Sequence, residues 1–278
     1  MALLPIIILA LVQGITEFLP ISSSGHLQLV HAYFEKSGID PTTQWQNHML
    51  LDTAVHLGTL LSVLLYFHRD IIKMLCGLKS VAAGNMHAEG SRLIGHILLA
   101  SIPVILAGFV MYVYQPSWIL KVEVVAWTTI IFGILLGFSD KYPKKEKTLE
   151  NMSCLDALYI GLSQVLALVP GTSRSGITMT TARFLGYSRQ EAAHFSLLLA
   201  IIAISGAGAL GLKNLMESAD ITLSIDFFIA ALISFLTGWI AIALMMKWLE
   251  KSSFMPFVIY RMILGSALLF LIYSGYIQ

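Results

Sequence analysis

Apolar runs of about 20 residues recur along this chain, at 48–67, 93–113, 119–138, 192–212, 224–247 and 254–277. A helix needs that length to cross a hydrocarbon core of roughly 30 Å. Of the 278 residues, 57% are hydrophobic and 12% charged, against about 25% charged in an ordinary soluble domain. The chain therefore reads as an all-α polytopic membrane protein, with the lipid bilayer as its first partner. A net charge of +1 argues for no nucleic-acid partner and for no acidic one. Cys76 and Cys154 lack metal-type spacing and read as free thiols. The opening Met-Ala-Leu-Leu-Pro run has no basic segment before it, so it reads as the start of the first helix rather than as a cleaved leader.

Two pairs of shorter apolar segments stand apart from these runs: 3–19 with 22–33 around Pro20, and 154–169 with 174–186 around Pro170-Gly171. Each segment is too short to span comfortably, and proline lacks the amide needed to continue a helix. A pair of half-helices that enters the membrane and returns fits both cases. The stretches 35–47, 68–92 and 139–152 are polar or charged and read as loops. The pattern then amounts to two repeats, approximately 1–150 and 151–278, each a re-entrant pair plus three transmembrane helices, about ten helices in all. Three crossings are an odd number, so the second repeat starts on the opposite side of the membrane. That is inverted topology, which places broken helices at corresponding positions near the midplane. Non-helical backbone at that depth must be covered by protein or line a water-filled cavity, so the two turns should face each other. Arg69, Lys73, Lys79, Arg92, Lys141, Lys144, Lys145, Lys147, Arg183, Arg189, Lys247 and Lys251 share one side, with Lys36, Lys121 and Lys213 on the other. Such a bias marks the first side as cytoplasmic.

The turns carry the chemistry. Residues 13–26 read Q-G-I-T-E-F-L-P-I-S-S-S-G-H, and 151 positions later residues 164–177 read Q-V-L-A-L-V-P-G-T-S-R-S-G-I. Gln, Ser, Ser and Gly recur in register, while Arg174 stands opposite Ser23, and Leu168 and Ile177 stand opposite Glu17 and His26. Gln13 and Glu17, four apart, share one helix face. A carboxylate inside a membrane segment is costly and usually faces a partner or a wet cavity. Glu17, Ser22, Ser23 and His26 together supply the carboxylate, hydroxyl and imidazole that nucleophilic or acid–base chemistry needs. In the second turn, Ser173, Ser175 and Thr178 surround a half-helix start whose amides can bind an anion. Arg174 adds a guanidinium fork that matches phosphate oxygens. Arg261 is a second cation in an apolar stretch, placed to touch the same anion or to pair with Glu17. Asp52 and His56, four apart on the next span, form a candidate supporting face or a structural pair.

These motifs resemble those of the BacA-type undecaprenyl pyrophosphate phosphatases, the bacitracin-resistance proteins. The resemblance extends to H-L-G-T-L-L-S-V at 56–63 and F-M-P-F-V-I-Y-R at 254–261, and so covers nearly the whole chain. The family's first motif opens on Glu or Gln; here it is Gln13, which leaves Glu17 as the only carboxylate of that turn. The resemblance implies a bacterial inner-membrane enzyme that hydrolyses undecaprenyl pyrophosphate, a polyprenyl pyrophosphate lipid, to undecaprenyl phosphate and inorganic phosphate. Such an enzyme recycles the lipid carrier for peptidoglycan and removes the target of bacitracin. It also implies a divalent cation, Mg²⁺ or Ca²⁺, with Glu17 a candidate ligand, and an active site open to the periplasm. By motif position, Glu17, Ser22, Ser23 and His26 carry over from the first turn, Ser173, Arg174 and Thr178 from the second, and Arg261 from the last helix.

Two routes are open on these residues. In one, Ser23 is the nucleophile and His26 its base; in the other, His26 is phosphorylated and Ser23 orients. Glu17 fixes the imidazole or helps to bind metal. The rival function is a transporter or flippase of undecaprenyl phosphate, because inverted repeats with broken helices are transporter architecture. The set Glu17, Ser23 and His26 argues for chemistry, since phosphate capture alone needs no base. A membrane protein with polar helix glue would explain the serines but not Glu17, His26 and Arg174 together. An oligomer is compatible with the sequence.

Overall fold

The computed structural model describes residues 3–37, 45–82, 89–114, 116–141, 146–217 and 225–276, and the structural statements below concern those residues. They form eleven α-helices: α1 Leu3–Thr16, α2 Ser23–Ser37, α3 Trp45–Tyr66, α4 His68–Ala82, α5 Glu89–Tyr114, α6 Val122–Lys141, α7 Cys154–Gln164, α8 Arg174–Phe184, α9 Arg189–Glu217, α10 Ile225–Leu249 and α11 Met255–Tyr273. Five of these (α5, α6, α9, α10 and α11) contain stretches long and apolar enough to cross a membrane, and α3 with α4 makes a sixth candidate broken by an 82° bend. The protein is an all-α, multi-pass membrane protein.

Three expectations shift. The stretch 68–92 is not a loop: α4 fills its first half and α5 begins at Glu89. Its charges suggested solvent, yet Ile71, Met74, Leu75 and Leu78 recur at helical spacing between them, so one flank can pack. In 35–47, the ends belong to α2 and α3, and 38–44 lie outside the described residues. In 139–152, α6 runs on to Lys141, residues 142–145 lie outside the described residues, and the remainder is tied to the α8–α9 connection. There Lys147 N–H donates to Gly186 O at 2.9 Å and Ser188 N–H to Lys147 O at 3.2 Å.

The half-helices form where the sequence placed them. At 1.5 Å per residue, α1's 14 residues extend only about 21 Å, too short to cross. The chain after α1 reverses through Pro20, and the chain after α7 passes through a 3-10 turn, Val165–Leu168, before Pro170. α7 starts on a capping box, Ser153 and Asp156 satisfying each other's amides.

The two halves exchange partners: α1 lies along α10, while α7 lies along α5, and α6 packs on both α8 and α11. Small residues allow these approaches, as expected where lipid supplies no hydrophobic drive between helices. A Cβ on Gly14 would strike Thr237 and the Ser234 carbonyl, one on Gly58 the Ala231 carbonyl, and one on Gly161 the backbone of Ala100. The main core gathers Phe18, Phe195, Leu198, Ile242 and Phe254, and a second core joins Ile6 and Leu9 to Ala54 and Phe227. The two turns meet among α6, α9 and α11.

Candidate active site

The two turns have the same local structure. Ser22 and Ser173 both take left-handed backbone, at φ 74° and 71°. Each hydroxyl accepts the amide of the glycine three residues on: Gly25 N–H to Ser22 Oγ at 3.3 Å, Gly176 N–H to Ser173 Oγ at 3.1 Å. Each carbonyl accepts the amide four residues on, His26 N–H at 3.2 Å and Ile177 N–H at 2.9 Å. Both serines therefore act as N-caps, of α2 and α8. The first amides of each helix, at Ser23 and Ser24 and at Arg174 and Ser175, have no acceptor within the helix. They are suited to an anion.

Hydrogen bonds join one turn to the other. Gly171 N–H donates to Ser22 Oγ at 3.1 Å, and Ser175 Oγ–H donates to Leu19 O at 2.9 Å. Gly171 has φ +87°, and a Cβ there would collide with Thr128 and the Val125 carbonyl, so only glycine fits. Thr128 Oγ1–H donates to Pro170 O at 2.6 Å.

Arg261 completes the joint. It is 0% exposed, and its guanidinium donates to Pro20 O at 3.1 Å from the first turn and to Gly171 O at 2.9 Å and Thr172 O at 3.0 Å from the second. Its remaining bonds go to Thr129 O at 3.0 Å and Thr128 O at 3.3 Å on α6. A buried cation is tolerated only when fully hydrogen-bonded, and backbone carbonyls meet that requirement here.

The reactive groups lie along the same seam. Glu17, 8% exposed, accepts on Oε2 from Gln13 Nε2 at 2.9 Å and from Ser23 Oγ–H at 2.6 Å. Its Oε1 accepts from Arg174 Nη2 at 3.1 Å, so the first turn's acid meets the second turn's cation. Arg174 Nη1 donates to Ser196 O of α9 at 3.2 Å, and Ser196 Oγ pairs with Thr178 Oγ1 at 2.7 Å. Ser23, His26 and Arg174 are partly exposed and Ser24 is exposed.

No hydrogen bond joins His26 to Ser23. Its Nδ1 lies 2.6 Å from Ser22 O and its Nε2 2.5 Å from the Tyr260 hydroxyl, with the two rings stacked at 12°. A carbonyl can only accept, so Nδ1 carries the proton and Nε2 offers its lone pair.

The structure thus divides the residues expected at the site. Gln13, Glu17, Ser23 and Arg174 form one bonded chain, and His26 sits one turn along α2 from Ser23. Ser22, Ser173, Ser175, Thr178 and Arg261 were expected to bind substrate phosphate. They are buried instead: Thr178 bonds within α8 and to Ser196 of α9, and the polar atoms of the other four cap and join the turns, because non-helical backbone within an apolar bundle must be satisfied internally. Asp52 and His56 belong elsewhere: Asp52 Oδ1 lies 3.3 Å from His31 Nε2 of α2, and His56 Nδ1 donates to Asp52 O at 2.6 Å. Tyr260, Thr128 and Ser196 escaped the sequence reading. Tyr260 immediately precedes Arg261 in F-M-P-F-V-I-Y-R; the other two carry no local signal.

The described residues do not fit a resident metal. Among those described, no three His, Cys, Asp or Glu side chains converge. Both oxygens of Glu17 are engaged by neighbours. A charged cleft of about 250 Å³ lined by Asp70, Lys73, Arg92, His96 and His194 shares no residue with the two turns.

This arrangement stands on a chain whose residues 6–267 match the family described as Bacitracin resistance protein BacA. The chain belongs to the BacA family. Among its relatives, an undecaprenyl-diphosphatase of Ruegeria pomeroyi is 42% identical over 275 residues, covering 99% of this chain and 100% of that one. Undecaprenyl-diphosphatase 1 of Rhodospirillum rubrum is 44% identical, covering 99% and 97%. An undecaprenyl-diphosphatase of Hahella chejuensis is 44% identical, covering 98% and 99%. Similarity to BacA relatives thus runs through both turns and the final helix.

Proposed function

We propose that this BacA-family protein hydrolyses undecaprenyl pyrophosphate to undecaprenyl phosphate and inorganic phosphate. The names and full-length coverage of its relatives support the substrate. One observation carries the chemistry: Glu17 bonds both to the Ser23 hydroxyl and to Arg174 across the two turns. A nucleophile, its base and a phosphate-matching cation are joined in one contact chain.

In this reading the terminal phosphate lies against the first amides of α2 and α8, where the helix dipoles favour an anion. Arg174 exchanges its bond to Glu17 for a phosphate oxygen, which leaves Glu17 a stronger base. Ser23 Oγ then attacks the terminal phosphorus and its proton passes to Glu17. The Oγ–P bond forms as the bond to the bridging oxygen breaks, and undecaprenyl phosphate leaves as an anion that needs no proton. Water attacks the phosphoserine, one of its protons passing to the Tyr260 oxygen as the Tyr260 hydroxyl proton passes to Nε2 of His26. Glu17 returns its proton to Oγ, and inorganic phosphate departs. Arg174 and the amides stabilise the charge that develops on the phosphoryl oxygens.

The bonding favours Glu17 over His26 as the base for Ser23. The resemblance still implies a divalent cation; with no ligand set among the described residues, it would arrive on the pyrophosphate, and no step here uses it. The exchange of partners between α1–α10 and α7–α5 supports the inverted-repeat organisation. The lysine and arginine bias orients the loops, and the family supports a bacterial inner-membrane location and a site opening to the periplasm. The test is phosphate release from undecaprenyl pyrophosphate by purified protein, with acid-quench trapping of the intermediate. Phosphate on Ser23 is expected. Phosphate on His26 overturns the nucleophile, and no phosphate release overturns the enzymatic reading in favour of transport.

A further inference from the structure

α4 has three faces. Asp70, Met74 and Gly77 turn to the protein: Asp70 Oδ2 lies 3.1 Å from His194 Nε2 of α9, Met74 is in the main core, and a Cβ on Gly77 would meet the backbone of Gly90 and Ser91. Ile72, Leu75 and Leu78, spaced by three, form a second face with 57%, 55% and 46% of their surfaces exposed. Arg69, Lys73 and Cys76 form a third, exposed face, and Lys79 is exposed within the apolar stripe, between the angular positions of Ile72 and Leu75. These spacings place each set on one side of a helix.

The helix leaves α3 at 82°, so with α3 crossing the bilayer α4 lies near the membrane plane. An apolar cleft of about 150 Å³, lined by Leu64, Met74, Leu75, Leu78, Ile97 and Leu198, lies beside the stripe. The Lys73–Glu89 pair, 3.3 Å apart, is solvent-exposed at both ends and therefore weak, so Lys73 can exchange it for a phosphate.

We propose that α4 is an interfacial helix that holds an anionic phospholipid of the cytoplasmic leaflet, its headgroup on Arg69, Lys73 and Lys79 and an acyl chain in the adjoining cleft. Three exposed cations over an apolar stripe complement a negative headgroup above acyl chains. The basic loops on this side of the molecule place the helix at the cytoplasmic surface. This site is separate from the two turns and does not depend on what they catalyse.

The experiment reconstitutes the full chain in nanodiscs of phosphatidylglycerol mixed with phosphatidylcholine and counts retained lipids by native mass spectrometry. Phosphatidylglycerol should be retained preferentially, and R69Q, K73Q and K79Q should each reduce that preference roughly fivefold. Equal retention of both lipids, or a preference indifferent to all three substitutions, overturns the proposal. A second measurement needs no charge variant. In a Cys154→Ser background, a nitroxide on Cys76 should read headgroup depth. One on Leu75→Cys, with Cys76→Ser, should read acyl-chain depth. Both labels in water overturns the interfacial placement.

Discussion

Ser22 and Ser173, 151 residues apart, are the two non-glycine positions with left-handed backbone among the described residues, and each caps the half-helix that follows it. Left-handed backbone costs a residue with a Cβ about 1–2 kcal/mol, which the cap bonds offset in part. The two serines differ in one respect: Ser22 Oγ also accepts Gly171 N–H from the opposite turn.

That difference yields an ordering of stabilities. Ser22→Ala keeps the backbone strain and loses the acceptor of two amides, whereas Ser22→Gly loses the acceptor but also the strain. The alanine variant should unfold more readily than the glycine variant by about 1 kcal/mol. Ser173→Gly should be close to neutral, because glycine is itself a fair N-cap. Thermal unfolding in detergent checks the series; equal midpoints for both Ser22 variants would remove the argument from strain.

Arg261 and Arg174 should fail in different ways. Arg261→Met removes a donor from five carbonyls and leaves those of Pro20 and Thr172 with none, while Thr128 and Thr129 keep their helix bonds and Gly171 keeps Thr129 Oγ1, so the fold should lose about 2–5 kcal/mol. Arg174 is partly exposed and bonded to only two partners, so Arg174→Met should cost less stability while abolishing phosphate release. Paired melting and activity measurements separate the two. If Arg261→Met melts like wild type and merely loses substrate affinity, the structural role assigned to it is wrong.

Glu17→Gln preserves shape and can still accept from Ser23, but cannot take a proton. The turnover number should fall about 10²–10⁴-fold with KM changed little. The variant should remain folded by melting. A wild-type turnover number would exclude Glu17 as the base.

On the face with the basic loops, the Tyr187 hydroxyl donates to Asp156 Oδ2 at 2.8 Å. Burial, with this bond and the Asp156 charge, raises the Tyr187 phenol above its ordinary value of 10.0. Folding therefore favours the protonated phenol. Its contribution is full below that value and is lost as rising pH ionises the unfolded chain first. Tyr187→Phe should cost about 1 kcal/mol at neutral pH. It should also flatten the loss of stability above about pH 10. An identical alkaline slope in both proteins would contradict the shift.

Much of this was legible in the chain because it is written locally. Proline and glycine broke apolar runs at Pro20 and Pro170-Gly171, and the in-register recurrence of Ser22 at Ser173 announced twin turns. The division of labour between them was not legible. A serine that caps and a serine that reacts have the same sequence signature; Ser22 and Ser23 differ only in which way the helix start turns each side chain. Arg261 reads as a buried cation seeking an anion, and only tertiary contact reveals five carbonyls as its partners. α4 was hidden by a related ambiguity, since three charged residues in its first six suggest a loop until the apolar spacing is weighed against them.

Tyr260 offers the sharpest test of the site's proton logic. The His26 Nδ1 proton is held by the Ser22 carbonyl, so Nε2 is the one nitrogen that can accept or be modified, and the Tyr260 hydroxyl lies on it at 2.5 Å. Tyr260→Phe keeps a stacked ring and removes that hydroxyl. Nε2 should then be unguarded, and carbethoxylation of His26, followed by mass spectrometry, should run faster than in wild type. The lost bond is worth about 1–1.5 kcal/mol, so the turnover number should fall on the order of tenfold, because the hydroxyl relays the water's proton to the imidazole. KM should hardly move, because the aromatic surface beside the entering lipid is retained. Faster modification with an unchanged turnover number would mean that Tyr260 only shields His26. Unchanged modification would mean that the hydroxyl does not occupy Nε2 at all.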